Sequence, residues 1–162
     1  MDDLRLRPMT PEEFAAFRKR LVGEYASEHV RAGTWSPEEA EARSAGQIDQ
    51  LLSQGADTPG MLVLTAETKS GESIGQLWVG LSNPGGSGGG AWIYDIEVVP
   101  AERGKGYGRA LLAMAEEQTI RNGATAIGLN VFGPNKVARS LYETSGYEIV
   151  AQVMRKQLVT PR

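Results

Sequence analysis

A glycine-rich segment between a predicted strand and a predicted helix constrains the fold of this chain most. The segment reads Arg103-Gly104-Lys105-Gly106-Tyr107-Gly108. The strand-like run Trp92–Val99 comes before it and ends at Pro100, and a helical stretch begins at Arg109. Glycines let the backbone adopt positive φ and approach a ligand, so N–H groups at the start of the helix can point at an anion. The segment predicts a diphosphate site; the alternative is a tight connection without a ligand.

The spacing of these glycines excludes two common nucleotide-binding motifs. The dinucleotide fingerprint requires a third glycine three residues after the second, and Arg109 holds that place. The P-loop requires Gly-Lys followed by Ser or Thr, whereas Gly106 follows Lys105. Another kind of diphosphate-containing ligand is therefore expected.

Two motifs together indicate which kind. The first is Arg-x-x-Gly-x-Gly, from Arg103 to Gly108, after a strand that ends in Val-x-Pro. The second reads Asn135-x-x-Ala138-x-x-Leu141-Tyr142-Glu143-x-x-Gly146-Tyr147. In both, the chain resembles the GCN5-related N-acetyltransferase (GNAT) family, over about a third of its length. The first ninety residues carry a much weaker resemblance.

The resemblance implies an α/β (α+β) fold with the element order β-α-α-β-β-β-α-β-α-β-β. It implies a mixed, mostly antiparallel central sheet of about seven strands flanked by about four helices. The length of 162 residues suits one acyl-CoA N-acyltransferase domain over residues 1–162.

Start signals and apolar periodicity locate the remaining elements. Helices are expected to begin at Thr10-Pro11-Glu12-Glu13 and at Ser36-Pro37-Glu38-Glu39, because each segment has an N-cap, a proline and acidic first-turn residues. Segment 83–90 is rich in glycine and is interpreted as a mobile loop, either a hairpin linker or a flap over the substrate. Strands are expected near Leu4–Pro8 and over Met61–Ala66, Ile74–Leu81, Ala126–Phe132, Tyr147–Val150 and Val153–Leu158.

Acetyl-CoA is the co-substrate that the resemblance implies. Its diphosphate would bind the backbone N–H groups of the glycine-rich segment, and its pantetheine arm would pair with the strand before that segment. Three residues of the second motif share one helix face, which would contact the cofactor. The predicted cofactor-binding residues are Ile96, Glu97, Val98, Arg103, Gly104, Lys105, Gly106, Tyr107, Gly108, Arg109, Asn135, Ala138 and Tyr142.

The resemblance also implies that Tyr142 protonates the leaving CoA thiolate; the alternative is a packed aromatic side chain. The attacking amine must lose a proton, and Glu97 is the best carboxylate to take it, with Asp95 second. A bulge between Tyr94 and Glu97 would turn Glu97 toward the thioester and Asp95 away from it. A proton relay through water, or purely structural carboxylates, are the alternatives.

This chain differs from several acetyltransferases at the positions where those proteins carry a catalytic base. Those relatives place Glu or His at the positions of Trp92 and Tyr94, or Glu at the position of Asn130, and this chain has no strong base at any of the three. The acceptor, a small-molecule amine or a protein or peptide amine, has no motif; Tyr25, His29, Trp35 and Trp78 are candidates for its pocket. His29 is otherwise a helix C-terminal cap or a surface residue.

Composition excludes several other functions. The chain has no Cys and one His, which excludes disulfides, thiolate sites and multi-histidine metal sites. A net charge of −3 without a broad basic face argues against nucleic acid, and no apolar run has the ~20 residues of a membrane span. A cytoplasmic monomer or homodimer is expected. The alternative to an enzyme is a non-catalytic acyl-CoA-binding sensor or scaffold.

Overall fold

The computed structural model describes residues 4–82 and 90–159 of the chain. The chain forms two compact units, Met1–Asn130 and Val131–Arg162. The loop expected at 83–90 lies, apart from Gly90, outside the described residues, and the expectation of one domain stays a prediction.

The first unit contains five strands and three helices. The strands are β1 (Leu4–Pro8), β2 (Met61–Thr68), β3 (Ser73–Gly80), β4 (Ala91–Val98) and β5 (Ile127–Leu129). The helices are α1 (Pro11–Arg31), α2 (Pro37–Leu51) and α3 (Tyr107–Arg121), and short 3₁₀ turns occupy Gly55–Asp57 and Pro100–Glu102. The second unit contains α4 (Lys136–Glu143).

The five strands form one sheet in the order β1-β2-β3-β4-β5. The first four pair antiparallel, and β5 pairs parallel to β4. The predicted fold class is confirmed: the sheet is mixed and mostly antiparallel, and the element order agrees with the prediction from β1 to α4.

The start of α1 confirms the sequence signal at Thr10. The Thr10 side chain accepts a hydrogen bond from the Glu13 N–H, and the Glu13 carboxylate accepts one from the Thr10 N–H. This reciprocal capping box satisfies two N–H groups that a helix start otherwise leaves open. At α2, Ser36 holds the N-cap position without a side-chain hydrogen bond.

Side chains of β3 alternate between two apolar layers, as the pleat of a strand requires. Trp78 faces α1 and α2, where it packs with Phe17, Leu21 and Ile48. The opposite face of β3 approaches α3: a Cβ at Gly75 would lie 3.1 Å from Leu111 Cδ1. The sheet is therefore covered on both faces, and its free parts are its edges.

The predicted strands after α4 are wrong. Among the described residues 131–159 there is no strand, so the sheet has five strands rather than about seven. A strand forms only where a neighbour supplies hydrogen bonds and buries one face. Val153 and Met154 are almost fully exposed, so apolar, β-rich sequence alone did not decide the structure here.

Strand β5 is also shorter than the predicted Ala126–Phe132. Its pairing with β4 covers only Ala91–Ile93 and ends opposite Leu129. The next residue of β4, Tyr94, has no partner in β3, because Trp78 pairs with Asp95 and Val79 with Ile93. This bulge bends β4, and the parallel pairing stops there.

Candidate active site

The edge of β4 that faces β5 lacks a partner strand from Tyr94 onward. The two strands pair through Ile93, β5 ends at Leu129, and β4 continues antiparallel to β3 as far as Val98. Tyr94 fills the bulge and stacks on Trp78, with ring centroids 4.5 Å apart. Among the described residues, the stretch of β4 from Tyr94 to Val98 therefore has a partner strand on the β3 side alone, and its other side is called the open edge of β4.

The strand register shows which backbone groups point out of the open edge of β4. Just after β4, the Val99 N–H donates to the Ile74 carbonyl of β3 at 2.9 Å. Backbone N–H and C=O groups alternate in direction along an antiparallel strand. Those of Glu97 therefore point toward β3, and those of Ile96 and Val98 point out of the open edge of β4. The expectation that all three residues offer backbone groups at the edge is thus corrected for Glu97.

The glycine-rich segment forms a turn between β4 and α3. Gly104 and Gly106 have φ of 75° and 87°, which a residue with a Cβ adopts only under strain. Gly106 is the N-cap residue of α3. The first N–H groups of α3 have no acceptor within the helix, so the geometry of an anion-binding helix start is present.

Gly108 does not fit the expectation that positive φ explains each glycine of the motif. It lies inside the first turn of α3 and is not among the glycines with positive φ. A helical position tolerates a side chain in terms of backbone conformation. Only close approach of a ligand would explain a glycine there.

The two basic side chains of the turn contact neighbouring protein groups. Arg103 Nε donates to the Val98 carbonyl at 3.0 Å, and Arg103 Nη2 donates to Glu97 Oε1. Lys105 Nζ donates to Glu102 Oε2 at 3.0 Å. Arg103 therefore connects the turn to the end of β4.

Asp95 and Glu97 lie on the same face of β4, the face that is covered by α1. They pair with Trp78 and Gln76 in regular alternation, because the bulge precedes Asp95 instead of separating the two carboxylates. The prediction that the bulge sends them to different sides is wrong. The Asp95 side chain is 13% exposed and the Glu97 side chain 28% exposed.

Arg20 of α1 joins these carboxylates, and the sequence analysis did not single it out. Its Nη2 donates to Asp95 Oδ2 at 2.7 Å and to Gln76 Oε1 at 3.2 Å, and its Nη1 lies 4.0 Å from Glu97 Oε2. The sequence does contain a signal for Arg20: this charged residue lies three residues after Phe17 and next to Leu21, within the apolar stripe of a helix.

Burial dominates the electrostatics of Asp95. Desolvation raises its pKa from 3.8 to about 6, although the hydrogen bond from Arg20 acts in the opposite direction. The negative charges of Glu97 and Glu24 raise it further. Desolvation also raises the pKa of Glu28, one helical turn from Glu24. Burial thus outweighs the pairing with Arg20 and raises the pKa of Asp95.

The second unit contains the other predicted site residues, on or next to α4. The Asn135 side chain accepts a hydrogen bond from the Ala138 N–H at 3.2 Å, so Asn135 is the N-cap residue. Tyr142 lies in the last turn of α4, with its ring 5.8 Å from that of Tyr147. The roles of Asn135, Ala138 and Tyr142 toward a cofactor stay predictions.

The aromatic residues considered for an acceptor pocket are packed. Trp78 belongs to the core below α1. His29 stacks on Trp35 with centroids 3.7 Å apart, and Tyr25 meets both rings edge-on. His29 Nδ1 lies 2.6 Å from Thr34 Oγ1. Desolvation and then the positive charge of Arg43 lower the pKa of His29. These residues pack against one another where α1 is joined to α2.

Two negative findings apply to residues 4–82 and 90–159. No group of three or more His, Asp or Glu side chains there is arranged to hold a metal ion. None of the helices there combines the length and the apolar character needed to cross a bilayer.

This arrangement is that of an acetyltransferase of the GNAT fold, and comparison with known proteins agrees. The family model "Acetyltransferase (GNAT) family" matches residues 20–147. That range is well over half of the chain, so the chain belongs to this family, whose members use acetyl-CoA.

Similar proteins include YycN of Bacillus subtilis strain 168, described as an uncharacterized N-acetyltransferase. It is 34% identical over 155 residues, covering 96% of this chain and 99% of YycN. Its crystal structure superimposes with a TM-score of 0.88 over 97% of this chain and 99% of that one. An acetyl transferase from Pyrococcus furiosus is 33% identical, with a TM-score of 0.68 and coverage of 96% and 100%.

A solved structure of lower identity shares the fold. AAC(6')-Iy, solved with the bisubstrate analog CoA-S-monomethyl-acetylneamine, is 17% identical, with a TM-score of 0.60 over 97% of this chain and 99% of that one. At this identity the likeness concerns the fold alone.

Proposed function

We propose that the protein transfers an acetyl group from acetyl-CoA to a primary amine by direct attack in a ternary complex. The observation that carries this proposal is the end of the β4–β5 pairing at Ile93, in the strand that leads into the Gly104–Gly106 turn. It leaves the Ile96 backbone and the Val98 N–H without a partner strand in the same unit as the start of α3, as an extended ligand with a diphosphate requires, while the Val98 carbonyl accepts a hydrogen bond from Arg103. A CoA ester is such a ligand, as is the CoA analog bound to AAC(6')-Iy.

Each part of acetyl-CoA has a proposed partner. The Ile96 and Val98 backbones would pair with the pantetheine amides, and an N–H near Val98 would polarise the thioester carbonyl. The N–H groups from Gly104 to Arg109 would bind the diphosphate, aided by Arg103 and Lys105. Asn135, Ala138 and Tyr142 would complete the cofactor site.

The reaction requires two proton movements. An alkyl ammonium with pKa ~10.4 needs about 4.6 kcal/mol to lose its proton at pH 7, so a base assists. We assign this role to Glu97, directly or through water. The amine nitrogen then bonds to the acetyl carbon, the C–S bond breaks, and the thiolate takes a proton from Tyr142. The chain has no Cys that could form a thioester intermediate with the acetyl group, which favours direct attack.

Release of the CoA thiol from acetyl-CoA, measured with a panel of amines, tests the proposal. The panel should contain diamines, amino acids, aminoglycosides and peptides with free N-termini. Amine-dependent thiol release is expected with at least one class. Calorimetric binding of acetyl-CoA without thiol release for any amine would instead indicate the non-catalytic sensor or scaffold.

A further inference from the structure

An ionic network joins α1 to β4, and the proposed reaction gives a role to one of its members, Glu97. Its centre is Arg20, whose side chain is 23% exposed and lies over the ring of Phe17 at 5.6 Å. Its guanidinium contacts β3 through Gln76 and β4 through Asp95. A charge this deeply placed is costly unless it is paired, so its partners indicate why it is there.

Glu97 lies between two guanidinium groups. Arg103 binds Oε1, and Arg20 Nη1 lies 4.0 Å from Oε2. Both arginines are anchored elsewhere, Arg103 on the Val98 carbonyl and Arg20 on Asp95. The position of the Glu97 carboxylate is therefore defined from both sides.

We propose that Arg20 is a positioning residue for the acetyl transfer, which links the buried Asp95 to Glu97 so that the charge of each neighbour acts on Asp95 through one guanidinium group. This inference rests on the proposed function only for its effect on turnover. The coupling itself is a property of the folded chain. Both carboxylates lie next to the same cation. When Asp95 is protonated, its negative charge no longer offsets the positive charge of Arg20, which then acts more strongly on Glu97.

The surrounding charges define what the pair responds to. From α1, Arg20 faces Asp95, and Glu24 accepts a hydrogen bond from Arg20 Nη1 at 2.9 Å. Glu28, also on α1, has its pKa raised in part by Asp95. From β4, Glu97 raises the pKa of Asp95, which burial has already brought to about 6. From the turn after β4, Arg103 acts on Glu97.

Carbon-detected NMR of the side-chain carboxyl groups measures this coupling without any acceptor. Asp95 should titrate near pH 6 in the wild type. Arg20→Gln should raise the midpoint of Asp95 by about one pH unit, because an opposite charge within hydrogen-bonding distance is lost. Glu97→Gln should lower it. Midpoints of Asp95 that stay at the wild-type value in both folded variants would overturn the proposal.

The kinetic readout uses acetyl-CoA and whichever amine of the panel releases thiol. Arg20→Gln should move the acidic limb of the kcat profile to higher pH by about one unit, and Arg20→Lys should restore part of the shift. A purely structural role would lower stability or the active fraction without moving the limb. An unmoved limb in a folded variant would reject the positioning role.

The matched control is a second arginine of α1 that pairs with an aspartate, in this case on α2. Arg18 donates to Asp49 at 2.6 and 2.7 Å on the exposed side of the helix. Arg18→Gln removes the same chemical group from the same helix and should leave the Asp95 midpoint and the acidic limb unchanged. If the wild type releases no thiol with any amine, the proposed function fails, while the Asp95 titration still decides the coupling.

Discussion

Each end of the sheet carries a network of arginines and carboxylates: two arginines with two carboxylates at the β1 end, and two arginines with Asp95, Glu97 and Glu24 at the β4 end. At the β1 end, the buried Glu67 accepts hydrogen bonds from Arg5 and Arg7, both at 2.7 Å. Arg7 also binds both oxygens of Glu13, at 2.7 and 2.8 Å. The hydrogen bonds from Arg7 lower the pKa of Glu13 to about 2.

At the β4 end, burial outweighs the arginine. Asp95 has one guanidinium partner and lies close to Glu97 and Glu24, so its pKa is raised to about 6. The comparison teaches that pairing alone does not define the role of an ionic network. At the β1 end each carboxylate oxygen accepts a hydrogen bond from an arginine, and the network stabilises the contact between strands and a helix. At the β4 end burial and like charge dominate, and they raise the pKa of Asp95 to about 6.

The largest effect is expected at the turn of the β4 end. Gly106→Val should abolish measurable acetyl-CoA binding, because a β-branched residue does not accept φ of 87° and would obstruct the anion site. Calorimetry measures the affinity. The control is Gly23→Ala, in the middle of α1 with open space around its Cα, which should bind normally. Wild-type affinity in folded Gly106→Val would remove the turn from the cofactor site.

Tyr142→Phe tests whether the transfer needs a proton from a group outside both ionic networks, the Tyr142 hydroxyl. The change keeps the shape of the side chain and removes its hydroxyl, so kcat should fall ~10²-fold while acetyl-CoA affinity stays the same. Tyr147→Phe, the neighbouring tyrosine, is the control. Wild-type kcat in Tyr142→Phe would return this residue to a packing role.

Glu97→Gln and Glu13→Gln compare one carboxylate from each end of the sheet. Glu97→Gln should lower kcat by at least ~10-fold and weaken or shift the acidic limb of the pH profile, because the proton acceptor is lost. Glu13→Gln should leave kcat and that limb unchanged. A Glu97→Gln profile that overlays the wild type would reject the base assignment.

The pH dependence of stability should have opposite signs at the two ends. The raised pKa of Asp95 means that the folded state holds this proton more tightly than the unfolded state, so its contribution to stability is lost as pH rises from about 4 through about 6. Asp95→Asn should therefore lose less stability over that interval than the wild type. Denaturant unfolding at pH 4, 5 and 6 measures the difference. Parallel stability curves would contradict the burial of an exchanging carboxyl group.

The smallest effect is expected for the stability of Glu13→Gln. Glutamine retains the capping box of α1 but removes the charge that pairs with Arg7 and one of the two oxygens to which Arg7 donates, at a cost on the order of 1 kcal/mol. The lowered pKa of Glu13 contributes stability above about pH 4.5, which is lost as pH falls toward 2. Melting curves of variant and wild type should therefore differ at pH 7 and converge near pH 2. A constant difference would assign the effect to packing.

The parts of the structure that sequence predicted are those fixed by local chemistry. The Thr10 and Glu13 capping box and the positive φ of Gly104 and Gly106 follow from residue types at fixed spacing. The element order as far as α4 and the mixed, mostly antiparallel sheet followed from two motifs that resemble a known family. These signals need only a few adjacent residues.

The parts that sequence missed depend on contacts between distant segments. The position of the bulge at Tyr94 is set by pairing with β3, and it decides both where β5 ends and which way Asp95 faces. Arg20 lies 75 residues before its partner Asp95. The two strands expected after α4 had the right propensity but no neighbour among the described residues.

Amide hydrogen exchange with and without acetyl-CoA tests the central claim most directly, that the open edge of β4 and the turn after it bind the cofactor. The account predicts slower exchange on addition of acetyl-CoA at Ile96, Val98 and residues 106–109. Exchange at the β1 end, in Leu4–Pro8 and its partners in β2, should not change. Protection that is absent from β4 and the turn, or equal at both ends of the sheet, would contradict the account.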